Sequence, residues 1–179
     1  MNNVVIVEDM LRGFLEEGHP LYCGADARKI IANVQRLLEE ESKKGTRIFF
    51  IADSHAPDDL EFKMFPPHCV VGTAECEVVP ELKKYADKVI PKQRYSSFFN
   101  TDLEKELQKL GPQKIIVCGV CTDICVMHTV ADARARDYEV EVPVDCVASF
   151  DNEVHKWALA HMEKVLGARL THVKEKNSG

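Results

Sequence analysis

The sequence predicts an α/β protein: a three-layer α/β/α sandwich in which helices cover both faces of a mostly parallel, six-stranded sheet. Three observations predict this fold class. Short apolar runs alternate along the chain with longer segments whose apolar residues recur every three or four positions. Several runs are apolar throughout, as in strands that are buried on both faces. The 179 residues suit one domain with an ample core, so we expect a single domain over 1–179.

The first half of the chain contains three predicted strands. Residues 4–7 form the first strand, and apolar positions at helical spacing predict a helix over 26–45. A second continuous apolar run predicts a strand over 47–52. After a Pro-rich loop, a weaker helix over 77–85 and a short strand over 88–90 complete this half.

The second half continues the alternation of helices and strands. The predicted elements are a helix over 103–110, a strand over 114–119, a helix over 122–136, a strand over 138–147, a helix over 154–165 and a strand over 169–173. The apolar residues of the last helix, Val154, Trp157 and Val165 among them, share one face, and we expect that face to be buried. Strands alternating with amphipathic helices predict right-handed crossovers between parallel strands.

The composition excludes several classes of function. A net charge of −6 and a pI near 5.7 argue against nucleic-acid binding, which needs a basic surface. No apolar run approaches the roughly 18 residues of a membrane span, so we expect no membrane association. The start of the chain lacks the pattern of a secretion signal, which makes the cytoplasm the expected location. The seven cysteines are an odd number for disulfide pairing and suit free thiols.

Five polar side chains come at or just after the ends of predicted strands. Asp9 follows the first strand, Asp53 and His55 follow the second, Lys92 follows the third, and Cys125 follows the fourth. Open parallel sheets bind their ligands outside the carboxyl ends of the strands. We therefore expect these side chains to converge on one site.

Cys125 is the predicted nucleophile. If Thr122 caps the helix that follows the fourth strand, the sulfur of Cys125 lies in the first helical turn, where free amides and the helix dipole stabilise a thiolate. A nearby Lys92 ammonium would lower the pKa of the thiol further. Asp9 is placed to accept the thiol proton as a general base.

Five motifs occur in order along the chain. They are VIVED at 5–9 with Phe14, DSH at 53–55, FPPH at 65–68 with GT at 72–73, Lys92 with YSSF at 95–98, and GVCTDICV at 119–126. Each motif is weak alone, but the set resembles the isochorismatase-like cysteine hydrolases, specifically the nicotinamidases, over nearly the whole chain. The resemblance implies the Rossmann-like isochorismatase fold and an amidohydrolase acting on linear amides.

The resemblance also implies residue roles. Asp9, Lys92 and Cys125 would form a catalytic triad that converts an amide into a thioester, releases ammonia and then hydrolyses the thioester. The family has a cis peptide before the position of Cys121, which implies a cis Val120–Cys121 bond here. The backbone amides of Cys121 and Cys125 would then form the oxyanion hole.

A divalent metal ion is the implied cofactor. In nicotinamidases, the residues matching Asp53, His55 and His68 bind a metal that holds the pyridine nitrogen of the substrate. Glu61 is the expected fourth ligand, with the aspartates at 58–59 as alternatives. Zinc is the first choice of metal, and iron and manganese also fit nitrogen and oxygen ligands.

The implied substrate is a small aromatic amide, nicotinamide first of all. Phe14, Phe65 and Tyr95 match positions that contact the pyridine ring in nicotinamidases, and all three lie in predicted loops. The alternatives are a related cysteine hydrolase that acts on another small amide, and a non-catalytic thiol- or metal-binding module on the same fold. The sequence leaves the oligomeric state open, with a homo-oligomer as one option.

Cys121 departs from the family pattern, which usually has a small residue such as alanine there. A second thiol four residues before the nucleophile suggests the hypothesis that oxidation through Cys121 inactivates the protein reversibly. Together with Cys118, Cys121 forms a C-x-x-C pair, but Cys118 lies within a predicted buried strand, which disfavours a redox role for that pair.

Overall fold

The computed structural model describes residues 2–173 and confirms the α/β sandwich. Within this range, seven strands form one sheet, where six were predicted. The strands are β1 (Asn3–Glu8), β2 (Arg47–Asp53), β3 (Val89–Lys92), β4 (Lys114–Val120), β5 (Glu139–Pro143), β6 (Val147–Ala148) and β7 (Arg169–Thr171). The additional strand arises because the run predicted over 138–147 is interrupted after Pro143, which has no N–H to continue the ladder.

The strand order is β3-β2-β1-β4-β5-β7, with β6 also pairing with β4, and every pairing is parallel. From β1 the chain adds strands outward through β2 and β3, and then returns to place β4 on the other side of β1. The order therefore reverses between β1 and β4. A crevice at the carboxyl edge is expected at this position.

Five α-helices are present among residues 2–173: α1 (Arg12–Leu15), α2 (Ala25–Lys43), α3 (Leu103–Leu110), α4 (Met127–Ala135) and α5 (Asn152–Lys164). A π-helical turn over Thr122–Val126 leads directly into α4. The prediction of a helix over 77–85 is wrong, because the only helical part of this segment is a short 3-10 turn at Lys83–Tyr85. Pro80 disfavours helical backbone at Val79, whose N–H instead donates to the Met10 carbonyl.

The core has two apolar layers, one on each face of the sheet. In β1, Val5 and Val7 pack in the layer that contains α2, whereas Val4 and Ile6 pack in the layer that contains α3, α4 and α5. Successive side chains of a strand point to opposite faces, which explains this division. The layers fix β1 in the middle of the molecule and position its carboxyl end beside those of β2 and β4.

The apolar face predicted for the last helix is largely exposed. Val154, Trp157 and Val165 are 40, 55 and 68% exposed, whereas Ala158 and Met162 are fully buried. Ala158 and Met162 lie one turn apart and are the fully buried residues of this helix, so the apolar pattern overestimated the buried face. Among residues 2–173, no helix combines the length and apolar character that crossing a bilayer requires.

Candidate active site

The carboxyl ends of β1, β2 and β3 bring three charged side chains together. Asp9 follows β1, and its Oδ1 accepts a hydrogen bond of 2.9 Å from the backbone N–H of Asp53. Asp53 and Lys92 are the last residues of β2 and β3 and are paired in the parallel register. Neighbouring strand ends thus place two carboxylates and one ammonium at the same edge of the sheet.

We call Asp9, Lys92 and Cys125 the thiol cluster. Lys92 Nζ lies 2.8 Å from Asp9 Oδ2 and 3.4 Å from Cys125 Sγ, and it also donates a hydrogen bond to Asp53. All these side chains are buried, with Lys92 2% and Cys125 6% exposed. The structure therefore brings together the three residues that the sequence predicted as a catalytic unit.

Burial and charge set the protonation of this cluster. Burial and the Asp53 charge raise the pKa of Asp9 to about 6, although Lys92 opposes them. Burial also acts to raise the pKa of Asp53, but Lys92 and His55 outweigh it and hold that pKa at about 2. Burial raises the pKa of the Cys125 thiol above its ordinary value, more than Lys92 lowers it. The resting cluster thus holds a neutral thiol beside a carboxylate that can accept its proton.

The helix start around Cys125 differs from the prediction in one respect. Cys121 occupies the N-cap position, so the predicted cap at Thr122 is wrong. The Thr122 hydroxyl instead lies 2.7 Å from His155 Nδ1 of α5. Cys125 lies in the π-helical turn, in which Val126 N–H donates to the Cys121 carbonyl. The Val120–Cys121 peptide is cis, as the resemblance implies.

Next to the thiol cluster lies a second group, the imidazole–carboxylate cluster, formed by Asp53, His55, Glu61 and His68. Asp53, His55 and His68 each offer one possible ligand atom, and these three atoms lie within 4.8 Å of one another. Asp53 Oδ2 lies 3.6 Å from His55 Nε2 and 3.8 Å from His68 Nε2, and Glu61 Oε1 lies 3.9 Å from His68 Nε2. All four side chains are buried. This spacing is compatible with shared coordination of one ion.

Hydrogen bonds on the far sides of the two imidazoles orient them. His55 Nδ1 lies 3.0 Å from Asp59 Oδ2, and His68 Nδ1 lies 2.9 Å from the Pro66 carbonyl. Each Nδ1 therefore donates to its acceptor, which leaves each Nε2 directed at the Asp53 carboxylate. His55 Nε2 is buried without a hydrogen-bond partner in the described structure. A metal ion would satisfy this nitrogen, so the residues present fit such a group.

The aspartates at 58–59 do not replace Glu61 in this arrangement. The Asp59 carboxylate binds His55 Nδ1, on the side of the imidazole away from Asp53, and also accepts hydrogen bonds from Arg94 Nη1 and the Glu61 backbone N–H. Asp58 is exposed. Glu61 is the carboxylate beside the imidazoles, as expected for a fourth ligand.

Both clusters border one pocket. The predicted ring-contacting residues Phe14, Phe65 and Tyr95 all line it. Phe14 and Phe65 also lie near His68, with ring centroids 5.9 and 6.2 Å from its imidazole. A flat ring in this pocket would therefore have aromatic neighbours and reach the imidazoles and the thiol.

The sequence did not indicate several features of this site. Phe150 lines the pocket and is 46% exposed. It follows β6, which was not predicted as a separate strand because the sequence indicated one strand over 138–147. The sequence suggested Asp59 only as a possible metal ligand, although it lies four residues after His55 and its carboxylate contacts the His55 imidazole. Cys121 Sγ lies 3.5 Å from Cys23 Sγ, a pair that nothing in the sequence spacing suggests.

A parallel α/β sheet that delivers a buried cysteine to an ammonium and a carboxylate defines the class of α/β cysteine hydrolases. The particular family follows from comparison with known proteins. The chain belongs to the isochorismatase family, whose isochorismatase domain matches residues 3–175.

Its relatives cover almost the whole chain. The isochorismatase family protein PncA of Bacillus subtilis (strain 168) is 33% identical, over 95% of this chain and 99% of its own length. The crystal structure of nicotinamidase PncA from Bacillus subtilis matches with a TM-score of 0.90 and 34% identity, over 96% of this chain and all of that one. The pyrazinamidase of Pyrococcus horikoshii in complex with zinc matches with a TM-score of 0.87 and 31% identity, over 96% and 99%.

Proposed function

We propose that this isochorismatase-family hydrolase is a nicotinamidase, which converts nicotinamide and water into nicotinate and ammonia. The observation that carries the proposal is that the thiol cluster and the imidazole–carboxylate cluster border one small pocket lined by aromatic rings. A heteroaromatic amide has one group for each: a carboxamide for the thiol and a ring nitrogen for a bound ion. The names of the similar nicotinamidase and pyrazinamidase structures support the same substrate class.

In the first half-reaction, Asp9 accepts the proton of Cys125 Sγ while the Lys92 ammonium stabilises the thiolate. The sulfur attacks the amide carbon, and the carbonyl oxygen becomes an oxyanion held by the backbone amides of Cys121 and Cys125. Protonated Asp9 then gives its proton to the leaving nitrogen, the C–N bond breaks, and ammonia departs. The acyl group remains on Cys125 as a thioester.

In the second half-reaction, Asp9 accepts a proton from water, and the resulting hydroxide attacks the thioester carbon. The C–S bond breaks, the thiolate of Cys125 leaves beside Lys92, and the thiolate takes the proton that Asp9 accepted from water. Because Asp9 has a pKa of about 6, it can act as base and acid in turn near neutral pH.

Asp53, His55, Glu61 and His68 would hold the metal ion. When bound, a divalent metal supplies a Lewis-acid point that holds the ring nitrogen and orients the carboxamide toward Cys125. We take zinc as the metal because a similar pyrazinamidase is known in complex with zinc. Iron and manganese suit the same nitrogen and oxygen ligands. We place the enzyme in the cytoplasm, where nicotinate release would serve salvage of pyridine nucleotides.

The test is ammonia release from nicotinamide by the purified protein, in the presence of zinc and after treatment with a chelator. We expect the Cys125→Ala variant to lose roughly 10³-fold or more of the activity, since it removes the nucleophile. Cys146→Ala is the matched control, because Cys146 is also a buried thiol but lies outside both clusters. The chelated enzyme should recover when zinc is restored.

The outcomes separate the alternatives. Hydrolysis of another small amide but not of nicotinamide, with the same dependence on Cys125, would assign the protein to a related cysteine hydrolase. Zinc binding without hydrolysis of any amide in a panel that includes pyrazinamide would indicate a non-catalytic module. Equal activity of the Cys125→Ala variant and the unsubstituted protein would refute the proposed nucleophile.

A further inference from the structure

A buried carboxyl group lies directly behind the thiol cluster and has no part in the reaction described above. Glu8 is the last residue of β1 and precedes Asp9. It continues the row of side chains formed by Val4 and Ile6, which face the apolar layer of α3, α4 and α5. Its exposure is zero. Because side chains of β1 point alternately to the two faces of the sheet, an apolar residue is expected at this position.

Two neutral side chains, those of Ser97 and Thr129, lie beside this carboxyl group. Ser97 Oγ donates a hydrogen bond of 2.6 Å to Glu8 Oε1, and the Ser97 backbone N–H donates one of 2.9 Å to Thr129 Oγ1. Ser97 and Thr129 are also fully buried. Glu8 Oε2 is buried without a hydrogen-bond partner, and no ion pair to Glu8 is formed within residues 2–173. The Ser97 hydrogen bond is compatible with either form of the acid, whereas complete burial without a directly paired cation favours the neutral form.

The hydrogen bonds join the three segments that carry the thiol cluster. Glu8 is adjacent to Asp9 at the end of β1. Ser97 lies in the loop that follows Lys92 at the end of β3. Thr129 lies in α4, one helical turn after Cys125. Contacts among three buried side chains therefore fix the relative positions of the groups proposed to react.

The charged and titratable groups that face Glu8 come from each neighbouring element. They are Asp9 after β1, Lys92 on β3, Cys118 on β4 and Cys125 in the π-helical turn. Burial first, and then the charge of Asp9, raise the pKa of Glu8 to about 8, although Lys92 and the hydroxyls of Ser97 and Thr129 oppose them. Ionisation of Glu8 would place a second negative charge beside Asp9 and disfavour thiolate formation at Cys125.

We propose that Glu8 is a positioning residue of the active site: as a neutral acid it ties together the segments that carry Asp9, Lys92 and Cys125, and its ionisation disables the site. The proposal rests on the proposed function only in taking Cys125 as the nucleophile. It does not depend on the identity of the substrate.

The test compares two variants of Glu8 with a matched control. Glu8→Gln keeps the hydrogen bond from Ser97 and cannot ionise, whereas Glu8→Val restores an apolar side chain and removes the hydrogen bond. Glu41→Gln is the control, because Glu41 is a buried carboxylate on α2 that is bound to Lys44 and Thr46. The first measurement is the rate at which iodoacetamide alkylates Cys125, followed by peptide mass spectrometry from pH 6 to 9, which needs no substrate.

We expect the alkylation rate of Glu8→Gln to exceed that of the unsubstituted protein by roughly tenfold at pH 9 and by little at pH 6.5, as for loss of one neighbouring charge. Ammonia release should show the same pattern, with an alkaline decline near pH 8 that Glu8→Gln removes. Glu8→Val should lower kcat by roughly tenfold or more at pH 7 with little change in KM, because the pocket itself stays intact. Glu41→Gln should follow the unsubstituted protein throughout.

Parallel pH profiles for Glu8→Gln and the unsubstituted protein would overturn the neutral-acid role. Full activity of Glu8→Val at pH 7 would overturn the positioning role, and Ser97→Ala serves the same purpose should Glu8→Val fail to fold. An alkylation difference that appears as expected in a protein that does not hydrolyse nicotinamide would refute the proposed substrate and leave the role of Glu8 standing.

Discussion

Replacing Lys92 with methionine removes the ammonium that lies between two buried carboxylates. Lys92 Nζ is 2.8 Å from Asp9 Oδ2 and is hydrogen-bonded to Asp53, and its side chain is fully buried. Removing one partner of a buried ion pair costs about 3–5 kcal/mol, because the other charge stays buried without compensation. Methionine fills a similar volume, so a cavity adds little. Since two carboxylates are left, we expect Lys92→Met to lose about 5 kcal/mol of unfolding free energy at pH 7.

The loss should become smaller at lower pH. In the unsubstituted protein, Lys92 helps to hold the pKa of Asp53 at about 2. The stability contributed by ionised Asp53 is therefore fully present above the ordinary pKa of an aspartate and is lost as the pH falls toward 2. Without Lys92, the pKa values of Asp53 and Asp9 rise, and both carboxylates become neutral at a higher pH. The two stability curves should therefore approach each other below about pH 6, the pKa of Asp9 in the intact cluster.

The assay is urea denaturation followed by far-ultraviolet circular dichroism, with a chelator present so that bound metal does not contribute. Lys29→Met is the matched control, because Lys29 pairs with Asp26 at 2.6 Å on the exposed surface, and we expect no measurable change there. A loss below about 1 kcal/mol for Lys92→Met at pH 7, the range of an exposed pair, would refute the reasoning. So would a loss that stays constant from pH 7 to pH 5.

Three further predictions concern the surroundings of the two clusters. Asp59→Asn should weaken zinc binding by about 10- to 100-fold in calorimetric titration, because Asp59 orients His55, and an unchanged affinity would contradict that role. Gly119→Ala should cost about 3 kcal/mol or more in urea denaturation, because a new Cβ would lie 2.0 Å from the Glu8 carbonyl oxygen at a φ of 116°. Gly45→Ala, with a φ of 73° and open space, is its control, and equal losses would show that the contact is unimportant. As the pH rises from 5 to 8, Glu8→Gln should become more stable than the unsubstituted protein by about 3–5 kcal/mol. The reason is that the raised pKa of Glu8 makes the unsubstituted protein lose stability as the pH rises from 4.5 to about 8, whereas glutamine does not ionise. Parallel stability curves would count against a neutral Glu8.

The sheet and the thiol cluster could be predicted from the sequence because both depend on local patterns. Apolar runs locate the central strands, and polar residues at their carboxyl ends must meet at one edge of a parallel sheet. Asp9, Lys92 and Cys125 are therefore close together in the structure, although Lys92 lies 83 positions after Asp9 in the chain. The same strand-end pattern placed Asp53 and His55 in the site, and motif resemblance added Glu61 and His68, which spacing alone would not have grouped with them.

Features that depend on contacts between distant elements could not be predicted. The N-cap at Cys121 replaces the one expected at Thr122 because the Thr122 hydroxyl contacts His155, which lies on α5. The role of Glu8 was also hidden, since its partner Ser97 is 89 positions away and nothing in β1 indicates it. Likewise, an apolar helical face predicts burial only when another element covers all of it, whereas in α5 Ala158 and Met162 are buried and Val154, Trp157 and Val165 are exposed.

The exposed position of Trp157 affects how this protein can be followed in solution. It is the single tryptophan of the chain, and its indole stacks on His161 with ring centroids 5.1 Å apart. Because the indole is 55% exposed in the native state, its emission should change little on unfolding. A shift of this emission to shorter wavelength with rising protein concentration would instead report burial of the α5 surface against another molecule.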